Sequence, residues 1–421
     1  MSAGSVSTGS ASTARAPAVK NLFLTGATGV LGGRLLLEIL TATSANVFCL
    51  VRADSVEQAR ARLESVLFSY DVERTSAGEL GRVIPVLGDV AQAQLGLNAQ
   101  DYQRLQATVD RVLHCAANVS LVASYGKLQP VNVKGTQQVI DFCLGGDIPL
   151  LYASSFSVVG DKLYQDGFEL QETDLDFGQN YRDMDYERSK YEAEKAVHQA
   201  GERGLRWAIV RPGNIWGDSA NGRYPLAETR VKGIYYEMIK SLVETGLTFR
   251  SSEDFDITPV DYVAKAALYA SLHSDDFHGK TLNLTNPQPI TYDDIVIALR
   301  EFGYQLDVVI NEDYFEALTQ NRMLREGKPY RSSFTDLMAL FYSSGDITEK
   351  AKYATGLTRQ WLAGSGIACA ACDHPLLFRY FNYLIDAGFI VPPEQQRERA
   401  TIVEHTRQSS FLEQLFDADL R

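Results

Sequence analysis

Two stretches of this chain carry residue types that could move a proton and hold an oxyanion. A strand-like run, Leu150-Leu-Tyr-Ala-Ser-Ser155, ends in two serines, and a helical segment downstream reads Tyr186-Glu-Arg-Ser-Lys190. Tyrosine and lysine four apart share one helix face. A phenol with an ordinary pKa of about 10 is a poor acid near neutrality, and a nearby ammonium lowers that value. A serine hydroxyl within reach can hold a substrate oxygen and stabilise charge developing on it. The pair alone carries little weight. The chain has 21 tyrosines and three such matches: Tyr186/Lys190, Tyr191/Lys195 and Tyr236/Lys240. Only the first two lie on the helix that follows the serine-bearing strand. Their tyrosines are separated by about 500° of helical rotation and face different ways.

Such chemistry needs a hydride source, and the N-terminal third supplies a place for one. Asn21-Leu-Phe-Leu-Thr25 reads as a strand, followed by Gly26-Ala-Thr28-Gly29-Val30-Leu31-Gly32 and an amphipathic helix. Glycines at this spacing, between strand and helix, suit a dinucleotide-binding turn: the backbone approaches a pyrophosphate at a helix N-terminus. The second strand, Val47 to Val51, ends at Arg52 where NAD-binding domains usually place an acidic residue, and arginine suits a 2′-phosphate. Arg62 on the next helix could approach the same group, whereas Asp54 argues the other way. Gly88-Asp89-Val90 follows the third strand and Cys115-Ala116-Ala117 the fourth, at the carboxyl ends where an open α/β sheet binds its ligand.

These motifs need a doubly wound α/β sheet to position them. Strands are expected at 21–25, 46–51, 83–87, 111–115, 148–153 and 205–210, with helices at 30–42, 55–69, 99–107, 126–144 and 186–201. Regular alternation with Val/Ile/Leu-rich strands predicts a parallel sheet covered on both faces. Beyond about residue 215 the pattern turns to helices with isolated strands at 281–284 and 306–310. Residues 312–390 read as mainly helical. The expected organisation is a flexible linker at 1–18, a Rossmann domain at 19–215, a smaller substrate- and carrier-binding portion at 216–395 and a charged tail at 396–421. The chain could return to the sheet near 255–285.

The 421-residue chain is 45% hydrophobic and 22% charged, with a net charge of −13, which argues against nucleic acid as main partner. No window is apolar enough to span a membrane and the first seventeen residues lack a signal-peptide core, so a cytoplasmic enzyme is expected. Cys369-Ala-Ala-Cys372, with His374 nearby, is the one metal-like spacing. No second cysteine pair completes a zinc site, and an alanine-rich packed turn is the simpler reading.

Several features together resemble the thioester reductase domains that terminate nonribosomal peptide and polyketide synthetases, and the reductase portion of carboxylic acid reductases. They are Thr25-Gly-Ala-Thr-Gly-Val-Leu-Gly32, Leu50-Val-Arg-Ala53, Gly88-Asp89, His114-Cys-Ala-Ala-Asn-Val119, Val131-Asn-Val-Lys-Gly-Thr136, Tyr186-x-x-Ser-Lys190-x-x-x-Glu194 and Val210-Arg-Pro-Gly-Asn-Ile215. The likeness covers about 20–275, lies within the extended short-chain dehydrogenase/reductases, and is close to the myxalamid type. It implies a triad of Ser155, Tyr186 and Lys190, with Ser154 as the neighbouring alternative to Ser155. It also implies a structural Asn132, and passage of Pro212, Gly213 and Ile215 beside the nicotinamide. The implied reaction is NADPH-dependent reductive release of an acyl chain held as a phosphopantetheinyl thioester on a carrier protein. The aldehyde formed first would go on to the primary alcohol. Lys190 would bind the nicotinamide ribose and lower the tyrosine pKa, and Cys115 is not needed as a nucleophile. Basic residues Arg223, Arg230, Lys232 and Lys240 could meet an acidic carrier. The alternatives are an extended dehydrogenase acting on a free carbonyl or alcohol, and a cofactor-binding protein without catalysis.

Overall fold

Seven short runs rich in Val, Ile and Leu build one parallel sheet, in the computed structural model that describes residues 19–182, 184–228, 233–252, 254–310, 314 and 350–396. Its strands are β1 (Asn21–Thr25), β2 (Asn46–Val51), β3 (Val83–Leu87), β4 (Arg111–His114), β5 (Leu150–Ala153), β6 (Trp207–Pro212) and β7 (Lys280–Leu284). In space they run β7-β6-β5-β4-β1-β2-β3. The order reverses between β1 and β4, where Thr25 lies beside His114, and that switch point opens a crevice at the strands' carboxyl ends. The first three expected strands coincide with the observed ones.

Helices cover both faces, as the continuous apolar strands require. On one side lie α1 (Val30–Ala42), α2 (Val56–Tyr70) and α7 (Val260–Leu272), around Leu35, Ile39, Leu63, Val263 and Ala267. On the other lie α3 (Ala99–Thr108), α4 (Gly135–Gly146) and α5 (Asp185–Glu202), around Leu105, Phe142, Ala193 and Val197. The expected helix at 126–144 is broken: a turn at Tyr125–Gln129 passes through a widened π turn at Pro130–Lys134 before α4 begins. Proline has no N–H for the helical ladder, which accounts for the interruption.

A separate core forms around Trp216, Tyr236, Leu242, Ile295, Leu299, Tyr380 and Phe381. It is built by α6 (Ile234–Thr245), α8 (Tyr292–Phe302) and α9 (His374–Asp386). The chain does not leave the sheet for good at residue 215. It builds α6, returns through α7 and β7, where Thr281 pairs with Ile209, and leaves again. In the expected strand at 306–310 only Asp307–Val308 pairs, with Leu247–Thr248. The expected linker, the tail beyond 396, most of 312–349, and both Arg230 and Lys232 lie outside the described residues.

Candidate active site

One cleft of about 2210 Å³ runs from the β1–α1 turn, across the ends of β2 to β6, to α6 and α8. Every residue expected from sequence to bind cofactor or act in catalysis lines it, from Thr25 and Gly26 to Gly213 and Ile215. At one end the glycines are required by close approach. Gly26 has φ +77°, and a Cβ there would lie 2.6 Å from the Ala116 nitrogen; a Cβ on Gly32 would lie 2.1 Å from the Gly26 carbonyl oxygen. Gly29 caps α1 without a side chain, and the first turn holds no acidic residue. The helix end is therefore a cradle with N–H groups and positive partial charge available to an anion.

Arg52, exposed at the end of β2, accepts at its carbonyl a bond from the Arg62 guanidinium, which brings both arginines to the rim of the same end. The Asp89 carboxylate accepts from the Ala91 N–H at 2.9 Å, so it shapes its own turn as well as lining the cleft.

Behind the glycine turn runs a polar chain. The Ala116 N–H donates to the Thr25 hydroxyl (3.2 Å), which meets His114 Nδ1 (2.7 Å), and Nε2 meets the Thr136 hydroxyl (3.1 Å), itself a donor to the Asn132 carbonyl (2.6 Å). Burial, with the Lys190 charge adding to it, pushes the His114 imidazole down to about 3. A neutral ring with its proton on Nε2 satisfies every member of this chain. Asn132, fully buried, donates to the Ser189 hydroxyl and the Asn118 carbonyl, each at 2.9 Å, and ties the loop after β4 to α5.

Ser155, Tyr186 and Lys190 converge in the middle of the cleft. Ser155 accepts from the Ser157 N–H (3.1 Å), and its hydroxyl donates to the Ser157 hydroxyl (2.9 Å). Ser154 points elsewhere: its hydroxyl donates to the buried Glu194 carboxylate, which also holds the Arg211 Nε at 2.9 Å. Lys190 donates to the Ala153 carbonyl at 2.7 Å and lies 4.6 Å from the Tyr152 ring centre. Tyr191 faces away and bonds the exposed Asp176.

The free chain departs from expectation in its electrostatics. Burial, reinforced by the Glu187 carboxyl, pushes the Tyr186 phenol above its ordinary value, and the Ser155 hydrogen bond opposes this. Burial brings Lys190 down to about 8, with Glu194 and Cys115 pulling the other way. The Lys190 ammonium is committed to the Ala153 carbonyl. Burial raises the Cys115 thiol to about 12, which removes it as a thiolate nucleophile near neutrality.

Sequence reasoning missed Ser157 and Glu187, both in the cleft, and Asp256 beneath it. Asp256 accepts from the N–H groups of Asn214 (2.6 Å) and Asn286 (2.8 Å) and from the Thr258 hydroxyl. The Ser-x-Ser spacing was a usable signal for Ser157. Contacts between segments thirty to forty residues apart left none for Asp256.

The chain matches, over residues 24–267, the NAD-binding family described as Male sterility protein. It belongs to that family. Among relatives of this male sterility family member, a linear gramicidin synthase from Brevibacillus parabrevis is 29% identical over 87% of this chain. The L-2-aminoadipate reductase of Penicillium chrysogenum is 27% identical over 88%. The chain spans only 7% of the first and 28% of the second. Among solved structures, the terminal R domain from the myxalamid PKS-NRPS biosynthetic pathway is 29% identical, covers 90% of this chain and 93% of that one, and superposes with a TM-score of 0.79.

Among the described residues no group of three or more His, Cys, Asp and Glu side chains could hold a metal ion, and no helix is long and apolar enough to cross a membrane. Arg223 and Lys240 are engaged: Arg223 bonds the Ser69 carbonyl at 3.4 Å, and Lys240 lies 4.8 Å from the Phe389 ring centre and 3.9 Å from Glu244.

Proposed function

We propose that this chain is an NADPH-dependent reductase that releases an acyl or peptidyl group from a carrier-protein thioester. The observation carrying this reading is the convergence of Ser155, Tyr186 and Lys190 in a cleft that begins at a glycine cradle and ends among aromatic side chains. The relatives' names, synthetases and aminoadipate reductases, agree with it.

The cradle of Gly26, Gly29 and Gly32 fits a dinucleotide pyrophosphate, since a side chain at Gly26 or Gly32 would fill the space the backbone needs. Arg52 and Arg62 would hold a 2′-phosphate, and Gly88, Asp89, Val90 and Ala116–Ala117 would border the adenine and ribose. Pro212, Gly213 and Ile215 would flank the nicotinamide, which supplies the hydride when bound. Ser155 and Tyr186 hold the thioester carbonyl oxygen by hydrogen bonds that strengthen as negative charge develops on it. Tyr186 then passes its proton to that oxygen. The Lys190 ammonium would turn to the ribose and phenol, offsetting the burial that disfavours ionised tyrosine. The hemithioacetal expels the carrier thiol and leaves an aldehyde. The same hydroxyls suit that aldehyde carbonyl, so reduction goes on to the primary alcohol with a second NADPH.

The test is mass spectrometry of the product from an acyl-loaded carrier with NADPH, alongside NADPH stoichiometry. Alcohol with two NADPH consumed per chain is expected. Aldehyde accumulating at one NADPH per chain would establish a two-electron enzyme, and turnover of free ketones in preference to thioesters would favour an ordinary extended dehydrogenase.

A further inference from the structure

Beyond Ser155 and Tyr186 the cleft keeps going, and its lining changes character. Its volume is about 2210 Å³, whereas small-molecule pockets run to about 1,000 Å³. A dinucleotide at the glycine end therefore leaves a large space facing α6 and α8. On that far wall Tyr235 meets Phe255 edge-on at 4.9 Å, and Phe249 stacks on Tyr292 at 4.5 Å. On the sheet side Phe156, the residue after Ser155, meets Tyr353 edge-on at 4.9 Å. Tyr235, Phe249 and Phe255 are only half-buried and line the concavity, so part of each ring faces into it. Apolar surface gathered this way is what an apolar ligand covers.

The charges on this side sharpen the choice. Arg250 is engaged with Asp293, Nε to Oδ2 at 2.8 Å. Glu228 and Asp254 also line this end, and neither has a cationic partner among the described residues. Arg182 lies on the other side, in the loop leading into α5. A carboxylate brought to the wall of Tyr235, Phe249 and Phe255 would lose its hydration, find Arg250 already paired with Asp293, and face Glu228 and Asp254. An aromatic or hydrocarbon group meets none of these costs.

We propose that the acyl group taken by this cleft is neutral and apolar, aromatic or extended at its far end, and that acyl groups ending in a carboxylate are rejected. The inference rests on the thioester-reductase reading and names the substrate class of that same site.

The experiment compares pantetheine thioesters of matched length carrying octanoyl, phenylbutanoyl, ω-carboxyacyl and ω-aminoacyl groups. It reads kcat/KM with NADPH and, independently of turnover, dissociation constants by calorimetry in the presence of NADP. Octanoyl and phenylbutanoyl should exceed the ω-carboxyacyl thioester by roughly tenfold or more in both, within the range a pocket achieves by such discrimination. An ω-carboxyacyl or ω-aminoacyl thioester that equals or beats them overturns the assignment. Failure of every thioester to turn over, with binding still ranked in the expected order, would strike the proposed reaction and support the pocket assignment. Phe255→Leu and Phe249→Leu, which keep the core filled, should each raise KM for the phenylbutanoyl thioester several-fold with NADPH affinity unchanged. Unchanged KM in both variants would overturn it.

Discussion

The Lys190 ammonium donates to the Ala153 carbonyl at 2.7 Å, which pins the helix carrying Tyr186 to the strand that leads into Ser155. Burial brings this lysine down to about 8, against the opposing pull of Glu194 and Cys115. The cation exists below that value and is lost above it. If Lys190 acts as a cation, kcat/KM for NADPH, which reports free-enzyme ionisations, should fall as pH rises through about 8. Lys190→Arg keeps its charge across that range and should flatten the limb. A limb that persists unchanged in Lys190→Arg assigns the titration to another group.

Removing the phenol hydroxyl tests the choice of helix face. Tyr186→Phe should reduce kcat by about 100-fold or more, the scale of losing a positioned acid, with NADPH affinity little changed. Tyr191→Phe removes a hydroxyl bonded to exposed Asp176 and should turn over like the parent. The opposite ranking would place the acid on the other face.

Cofactor choice is testable at the end of β2. Arg52→Ala should weaken NADPH by about tenfold, the loss of a charge-assisted contact, while leaving NADH affinity close to the parent value. Equal loss of both dinucleotides, measured by fluorescence titration, would make Arg52 structural.

Gly32→Ala should abolish dinucleotide binding and lower the melting temperature, because its Cβ would sit 2.1 Å from the Gly26 carbonyl oxygen. A variant that binds NADPH normally would show that the turn can relax.

Glu194 and Arg211 are both fully buried and bonded at 2.9 Å. Glu194→Ala strands a buried guanidinium and should cost about 3–5 kcal/mol of unfolding free energy, read by denaturant titration. A loss below about 1 kcal/mol would mean that Arg211 finds other acceptors, such as the Gln171 carbonyl it already contacts at 3.2 Å.

The Rossmann half was legible because local pattern and global fold agree there. Val47 to Val51 is apolar without interruption, the signature of a strand covered on both faces, and Ser55 caps the next helix through the Gln58 N–H at 3.2 Å. The site was legible where spacing encodes geometry, as with Tyr186 and Lys190 on one helix face. It was not legible where position depends on packing between distant segments. Nothing in the neighbourhood of Ser154 says that its hydroxyl belongs to Glu194, forty residues on. Likewise, spacing places the Lys190 ammonium on the Tyr186 face of the helix but does not say that it bonds the Ala153 carbonyl, thirty-seven residues back. The far wall, made by α6, α8 and the loop around Phe249, shows only generic amphipathic patterns in sequence.

Because the chain visits the far wall, returns for α7 and β7, and departs again, the two layers are joined by more than one crossing. A cut after Ile215 would discard the edge strand beside Trp207–Pro212 and uncover the apolar flank of α1, which α7 shields. Swapping the half that carries the aromatic wall for that of another family member therefore calls for two splices, one replacing 216–259 and one replacing the chain beyond 284, with 260–284 kept in place. Chimeras joined at a single point would inherit a nucleotide-binding half already missing part of its own core.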